Sequence, residues 1–277
     1  MIFADAVESP VRYTGDIKLH GPEGFVGMRA AGRLAAECLD LLVPHVKPGV
    51  LTGTLDDLAR EFLLERGGIP ACLFYKGYRH TICTSVNHVV CHGIPGPKAL
   101  KDGDVVNIDV TVVLDGWHGD TSRMYSVGGV KRKAMRLMDV THECMMRGIA
   151  AIKPGARLGD VGAAIQDHAE RQRYSVVEAF CGHGLGRKFH DAPNILHFGR
   201  RGQGEKLVPG MLFTIEPMIN LGRKDVALLA DGWTAVTRDR SLSTQYEHSV
   251  GVTEEGCEVF TLSPAGLHTP HTLSPTV

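Results

Sequence analysis

The sequence predicts an α+β fold made of two similar halves, with helices packed against antiparallel strands. Three observations carry this expectation. Apolar residues recur at threes and fours over several stretches long enough for helices. An Asp-Gly pair joins two long alternating runs, as in a tight antiparallel hairpin. The chain also echoes itself. "VKPGVLTGTLDDLA" (46–59) resembles "IKPGARLGDVGAAI" (152–165) at an offset of 106, and "LKDGDVVNIDV" (100–110) resembles "LVPGMLFTIEP" (207–217) at an offset of 107. "CHG" (91–93) is echoed by "GHG" (182–184), and Asp-Gly-Trp occurs at 115–117 and at 231–233. Each half thus runs helix, loop with His-Gly, then strand with a carboxylate.

The elements follow in order. Residues 1–21 read as an irregular lead-in. From Pro22 to Val43, Met28, Ala31, Ala35, Cys38 and Leu42 form a helical stripe that Pro44 ends. A second helix is expected from Thr54, with Asp57 three residues on as a capping-box-like pair and Gly67-Gly68 as its stop. Residues 105–127 read as a hairpin, 132–151 and 158–173 as helices, and 211–220 and 245–253 as the last strands. The body of the chain is taken as one domain over 22–262. The tail 263–277, rich in Pro, Thr and Ser, is expected to be disordered, with a docked strap as the alternative.

Composition narrows the classes. The chain has 277 residues, 43% of them hydrophobic and 22% charged, with a formal net charge of −1. Such a chain can bury a sizeable core, and it lacks the basic excess that bulk nucleic-acid or acidic-membrane binding needs. "MIFADAVESPVRY" has no basic n-region and no apolar h-region, and no apolar run is long enough to span a membrane. The seven cysteines are scattered with no C-x-x-C pair, which suits reduced thiols in the cytoplasm.

The hairpin makes a sharper statement. A two-residue Asp115-Gly116 turn sets Asp109 opposite Ser122 and Thr111 opposite Asp120. Asp109 and Asp120 then become diagonal neighbours on one face, with Cα atoms about 7–8 Å apart. Val106, Ile108, Val110, Val112 and Leu114 fill the other face. Two carboxylates so placed can share a metal, although a solvated face would read the same. Glu216 in "MLFTIEP" and Glu247 in "TQYEHSVGV" sit in strand-like sequence. Each needs a partner if buried, and each reads equally as a strand-end glutamate facing water. In "CGHGLGRKFHDAPNIL", His183 and His190 lie seven apart, unlike the four-residue spacing of helical zinc histidines. His92 lies in "VVCHGIPG". Lone histidines are usually structural or exposed, and His20, His45, His168 and His197 are set aside on that ground.

The set Asp109, Asp120, His183, Glu216 and Glu247, with His92 and His190 beside it, carries a resemblance. "CHGIPG", "NIDVTVVLDGWHGDTSRMY", "GHGLGRKFHDAPNILHF", "PGMLFTIEPMIN" and "DGWTAVTRDRSLSTQYEHSV" closely resemble the type I methionine aminopeptidases, from about residue 22 to residue 262. The resemblance implies the pita-bread fold, two pseudosymmetric halves around a central curved antiparallel sheet. It implies a hydrolase that removes the initiator methionine when the second residue is small. Asp109, Asp120, His183, Glu216 and Glu247 would then hold two divalent metal ions, with Asp120 and Glu247 bridging, Asp109 on one ion, and His183 and Glu216 on the other. His92, His190 and Glu216 would be catalytic. Cys72, Tyr75, Tyr78, Cys83, Phe189 and Trp233, together with His92 and His190, would bind substrate.

The chemistry is coherent with that set. Four carboxylates balance two divalent ions, and oxygen-rich ligation with one imidazole suits Mn(II), Fe(II), Co(II) or Zn(II). Paired metals activate water at neutral pH. Glu216 can move a proton to the leaving amine, and His190 can stabilise the developing oxyanion. Substrates would be N-terminal methionyl peptides of nascent chains, which implies work near the ribosome exit tunnel, and the family suggests a monomer. Phe74 and His88 depart from residues common in the family, a Gly and an acidic residue, and both adjoin proposed site residues. Two alternatives stand beside this one. A proline-directed aminopeptidase of the same fold usually carries a large N-terminal domain, and only about twenty residues precede the first helix here. A non-catalytic binding module would have lost metal ligands, whereas each position is filled.

Overall fold

The structure, a computed structural model, describes residues 12–270. Part of the expected lead-in proves regular. Arg12–Thr14 (β1) and Ile17–Leu19 (β2) pair antiparallel about the turn at Gly15-Asp16, where Gly15 takes φ 60. Residues 1–11 of that lead-in lie outside the described residues.

Helix α1 spans Pro22–Leu42 and α2 spans Thr52–Glu65. The expected start of α2 at Thr54 is corrected by two residues. The N–H groups of Thr52 and Gly53 donate to the carbonyls of Lys98 and Gly96, both at 2.9 Å, so tertiary backbone partners do the work of a side-chain cap. Helix α3 spans Arg132–Ala150 and α4 spans Leu158–Arg171. Helix α4 begins 106 residues after α2 and has the same length of 14 residues, so the internal echo is a repeat of structure.

The first half holds strands β3 (Ile69–Pro70), β4 (Ile82–Val86), β5 (Val89–Cys91), β6 (Val105–Leu114) and β7 (Trp117–Ser126). Strand β6 is the centre of its sheet, with β3 and β4 along one side and β7 along the other. The β6–β7 register is the one expected: Asp109 faces Ser122 and Thr111 faces Asp120. Asp115 (φ 50) and Gly116 (φ 80) make the turn that fixes it. Valines and Ile108 on one face of β6 pack under α1 and α2 with Leu34, Leu39, Leu55 and Leu63. Each such side chain buried stabilises by roughly 1.5–3 kcal/mol, which rules out a one-residue slip that would turn the aspartates into this core.

The second half holds β8 (Ser175–Val176), β9 (Gly182–Gly184), β10 (Asp191–Ile195), β11 (Leu212–Ile215), β12 (Met218–Asn220), β13 (Val226–Leu228), β14 (Ala235–Thr237), β15 (Ser243–Gln245), β16 (His248–Val252) and β17 (Cys257–Val259). A five-stranded sheet runs β10-β9-β11-β16-β17 and packs against α3 and α4 through Phe213, Ile215, Val250, Leu137 and Ile165. The expected strands 211–220 and 245–253 are each split. Strand β11 stops before Glu216-Pro217, and β15 stops before Tyr246-Glu247. Proline has no N–H for the ladder, so the first break is written into the chain.

The two halves meet where β7 runs beside β16. The Glu247 N–H donates to Ser122 O at 3.1 Å, the Thr121 hydroxyl donates to Glu247 O at 2.7 Å, and Ser249 Oγ donates to Asp120 O at 2.6 Å. Asn107 Nδ2 spans the same seam, donating to Ser122 Oγ and to Gln245 O. With a helix-covered core on each outer side, the polar faces converge here.

Residues 263–270 of the tail lie against the body of the fold. Ser263 Oγ lies 2.8 Å from both carboxylate oxygens of Asp40, which also pairs with the buried Arg123 at 2.7 Å, and Leu267 packs against the first core. Residues 271–277 lie outside the described residues. No helix among the described residues is long and apolar enough to cross a membrane.

Candidate active site

A cavity of about 710 Å³ opens at the seam between the halves. Every candidate residue from the sequence lines it: Asp109, Asp120, His183, Glu216, Glu247, His92, His190, Cys72, Tyr75, Tyr78, Cys83, Phe189 and Trp233. Phe74 and His88 do not. The Phe74 side chain is 73% exposed, and His88 lines a separate cleft with Val236 and Arg240. The backbone of Phe74 takes φ 68, a left-handed conformation that suits glycine better.

The floor is acidic. Asp109 comes from β6 and Asp120 from β7, diagonal across the hairpin. Glu247 joins them because its own backbone is bonded to Ser122. Asp120, His183 and Glu247 each offer a ligand atom within 4.8 Å of the others. His183 Nε2 lies 3.5 Å from Asp120 Oδ2 and 3.7 Å from Glu216 Oε1. Its Nδ1 lies 3.0 Å from Gly184 O. A carbonyl only accepts, so Nδ1 carries the proton and the Nε2 lone pair faces the carboxylates.

Thr214 ties two of these groups together. Its hydroxyl donates to Glu216 Oε1 at 2.7 Å and accepts the backbone N–H of His183 at 3.0 Å. Gln245 Nε2 donates to the other Glu216 oxygen at 3.3 Å. The Glu216 N–H, freed from the sheet at the Pro217 break, donates to His197 Nε2 at 3.1 Å. His197, which its sequence context gives no functional role, holds the backbone of a candidate ligand. The signal was its place in "NILHF", between apolar residues, where a histidine must find a partner.

The electrostatics ask for cations. Burial, with the neighbouring charge of Asp120, pushes the Asp109 carboxyl well up, and Asp109 Oδ1 has no hydrogen-bond partner. Burial likewise raises Glu216 and Glu247, with the other carboxylates adding to it. Asp120 is pushed up to about 6 by burial, and the Thr111 hydroxyl at 2.7 Å partly offsets this. Four carboxylates held this close repel one another unless protonated or metal-bound. The donor set therefore fits divalent metal ions.

The walls are aromatic and sulfur-bearing. Cys72, Tyr78 and Cys83 are buried together, with Phe189 and Trp233 packed against them. The Tyr78 and Trp233 rings lie edge to face at 5.0 Å, and the Tyr78 hydroxyl donates to Ile82 O at 2.9 Å. His190 is enclosed by Tyr75 at 5.2 Å, Phe189 at 4.2 Å and His183 at 4.1 Å. Burial, with the neighbouring His183 and Lys76, lowers His190 to about 3. Burial and His183 also lower His92, which lies edge-on to Phe180 at 5.6 Å. Both imidazoles are neutral at physiological pH, each with one N–H donor and one acceptor.

Residues 26–254 match the model of metallopeptidase family M24. The chain is 58% identical over 255 residues to a methionine aminopeptidase of Rickettsia prowazekii, covering 92% of this chain and 98% of the relative. The crystal structure of methionine aminopeptidase from Rickettsia prowazekii superposes with a TM-score of 0.88 at 59% identity, over 89% of this chain and 100% of that one. A prolidase from Pyrococcus furiosus shares the fold, with a TM-score of 0.72 at 19% identity over 88% of this chain and 65% of that one.

Proposed function

The chain belongs to metallopeptidase family M24, and from that premise we propose that it is a methionine aminopeptidase that clips the initiator methionine from nascent chains whose second residue is small. The observation that carries this is the joint presence, in one cavity, of a five-residue acidic and imidazole floor and a sulfur-and-aromatic wall. Floor and wall correspond to the two parts of the substrate, a free amine beside a scissile amide and an unbranched thioether.

Asp109, Asp120, His183, Glu216 and Glu247 would hold two divalent ions. Ions bound there supply charge neutralisation, a landing point for the α-amine and activation of water. Everything else falls to the chain. The wall of Cys72, Tyr78, Cys83, Phe189 and Trp233 takes the methionine side chain, where each sulfur–aromatic contact adds roughly 0.3–1.5 kcal/mol. Glu216 takes a proton from water at one carboxylate oxygen and passes it to the departing amine. Thr214 and Gln245 hold that carboxylate in place. Neutral His190 donates its N–H to the carbonyl oxygen as charge develops, and His92 hydrogen-bonds beside the amide. Tyr75 keeps His190 from turning by stacking on it.

Substrates on this account are N-terminal methionyl peptides, met in the cytoplasm near the ribosome exit tunnel by a monomeric enzyme. The proline-directed alternative has only the shared fold behind it. The test is release of methionine from Met-Ala-Ser with added Mn(II) or Co(II), and its absence in the Asp109→Asn, Asp120→Asn double variant. Full turnover in that variant refutes the assignment of the floor.

A further inference from the structure

The cavity rim carries a charge that the acidic floor does not explain. Lys76 is the one lysine or arginine among the lining residues, and Asp191 is the one carboxylate outside the candidate ligand set. Asp191 is already engaged: its Oδ1 accepts the Ala192 N–H at 3.0 Å and faces Lys188 Nζ at 3.5 Å. Lys76 is exposed and makes no ion pair with any described residue. Its Nζ lies 5.3 Å above the Tyr75 ring, and the same ring packs on Phe189 at 4.8 Å and stacks on His190 at 5.2 Å.

The backbone holds Lys76 there at a cost. It takes φ 46 and ψ 31 within a tight turn, Cys72 to Tyr78, closed by Tyr75 N–H to Cys72 O at 3.0 Å and Phe74 N–H to Tyr78 O at 2.6 Å. A left-handed lysine is disfavoured, and such strain collects where a side chain must be aimed. The turn sends Tyr75 into the cavity and Lys76 to its rim. Since His190 serves the scissile carbonyl on the account above, Lys76 stands on the side by which the peptide leaves. Its flexible stem lets one positive charge cover the residues just past the scissile bond.

We propose that Lys76 selects among methionyl substrates, favouring chains that carry an acidic side chain just beyond the small second residue. The proposal rests on the aminopeptidase reading and names a substrate class within it. An exposed pair of this kind acts mainly on capture, is modest in size, and fades with salt.

The test compares kcat/KM for Met-Ala-Glu-Ala, Met-Ala-Gln-Ala and Met-Ala-Lys-Ala in the metal-reconstituted enzyme. At low ionic strength the glutamate peptide is expected to exceed the lysine peptide by about three- to tenfold, mostly through KM, and 0.5 M salt to bring the two together. Lys76→Gln removes the preference, and Lys76→Glu reverses it. A wild-type enzyme that turns over the glutamine peptide yet treats both charged peptides alike overturns the role of Lys76 alone. So does a preference unchanged in Lys76→Glu. Failure of the wild-type enzyme on all three peptides overturns the aminopeptidase reading and this proposal with it.

Discussion

Replacing Thr214 with valine tests how the acidic floor is held. Thr214 is fully buried on β11, and valine matches its shape, so the change removes a hydroxyl without opening a cavity. Two hydrogen bonds go with it, the one donated to Glu216 Oε1 at 2.7 Å and the one accepted from the His183 N–H at 3.0 Å. A hydrogen bond to a carboxylate contributes about 1.5–3 kcal/mol, and a buried N–H left without a partner costs about 1–3 kcal/mol. The two losses share one atom and overlap, so the expected destabilisation is about 3 kcal/mol. For a chain of this size that lowers Tm by roughly 6–12 °C. Loss of a partner that orients metal ligands typically weakens metal binding by about 10- to 100-fold. Scanning calorimetry of metal-free protein reads the first effect and Mn(II) titration reads the second, with Thr214→Ser as the variant that restores both. A valine variant that melts with the wild type and binds Mn(II) as tightly would refute the reasoning.

Three further outcomes are expected. His190→Ala is expected to keep its metal complement by elemental analysis while losing most turnover, because His190 lies outside the candidate ligand set; metal loss in that variant contradicts its placement. Metal-free protein is expected to lose stability as pH rises through about 6. The folded pKa of Asp120 is raised to about 6 from the ordinary 3.8, so its contribution is present below that ordinary value and lost above about 6. Urea unfolding should therefore show Asp120→Asn more stable than wild type by about 3 kcal/mol at pH 8, with the gap closing toward pH 4, and a constant gap would count against it. Met-Ala peptides should be cleaved far faster than Met-Leu peptides, and equal rates would remove the small-residue rule.

The parts of the fold readable in sequence are those set by local chemistry. The Asp115-Gly116 turn and the alternation of β6 fix the register between them, so Asp109 and Asp120 could be set on one face from sequence alone. The echo at offset 106 reported α2 and α4 because both start in the same local pattern. The short β1–β2 hairpin is not legible locally, although Thr14-Gly15-Asp16 carries a turn signal, because three-residue strands are too brief for alternation to stand out. The start of α2 is hidden from local sequence because the backbone partners of its first turn, Gly96 and Lys98, are distant in sequence. The same holds for the seam. Nothing near Glu247 announces that Ser122 will take its N–H, and nothing near His197 announces Glu216. Resemblance to a family assembled the five candidate ligands, and the structure supplies the physical reasons they converge. Those reasons are a broken strand at Pro217, a second break before Glu247, and Thr214 joining the Glu216 carboxylate to the backbone of His183.

The most direct test of the account is the number of divalent ions bound per chain. Protein purified without added metal and titrated anaerobically with Mn(II), Fe(II), Co(II) and Zn(II) in turn is expected to bind two ions per chain with at least one of them. Asp109→Asn should bind fewer, and Asp109→Asn with Asp120→Asn should bind none tightly. Two ions retained by the double variant, or none taken up by the wild type, would contradict it.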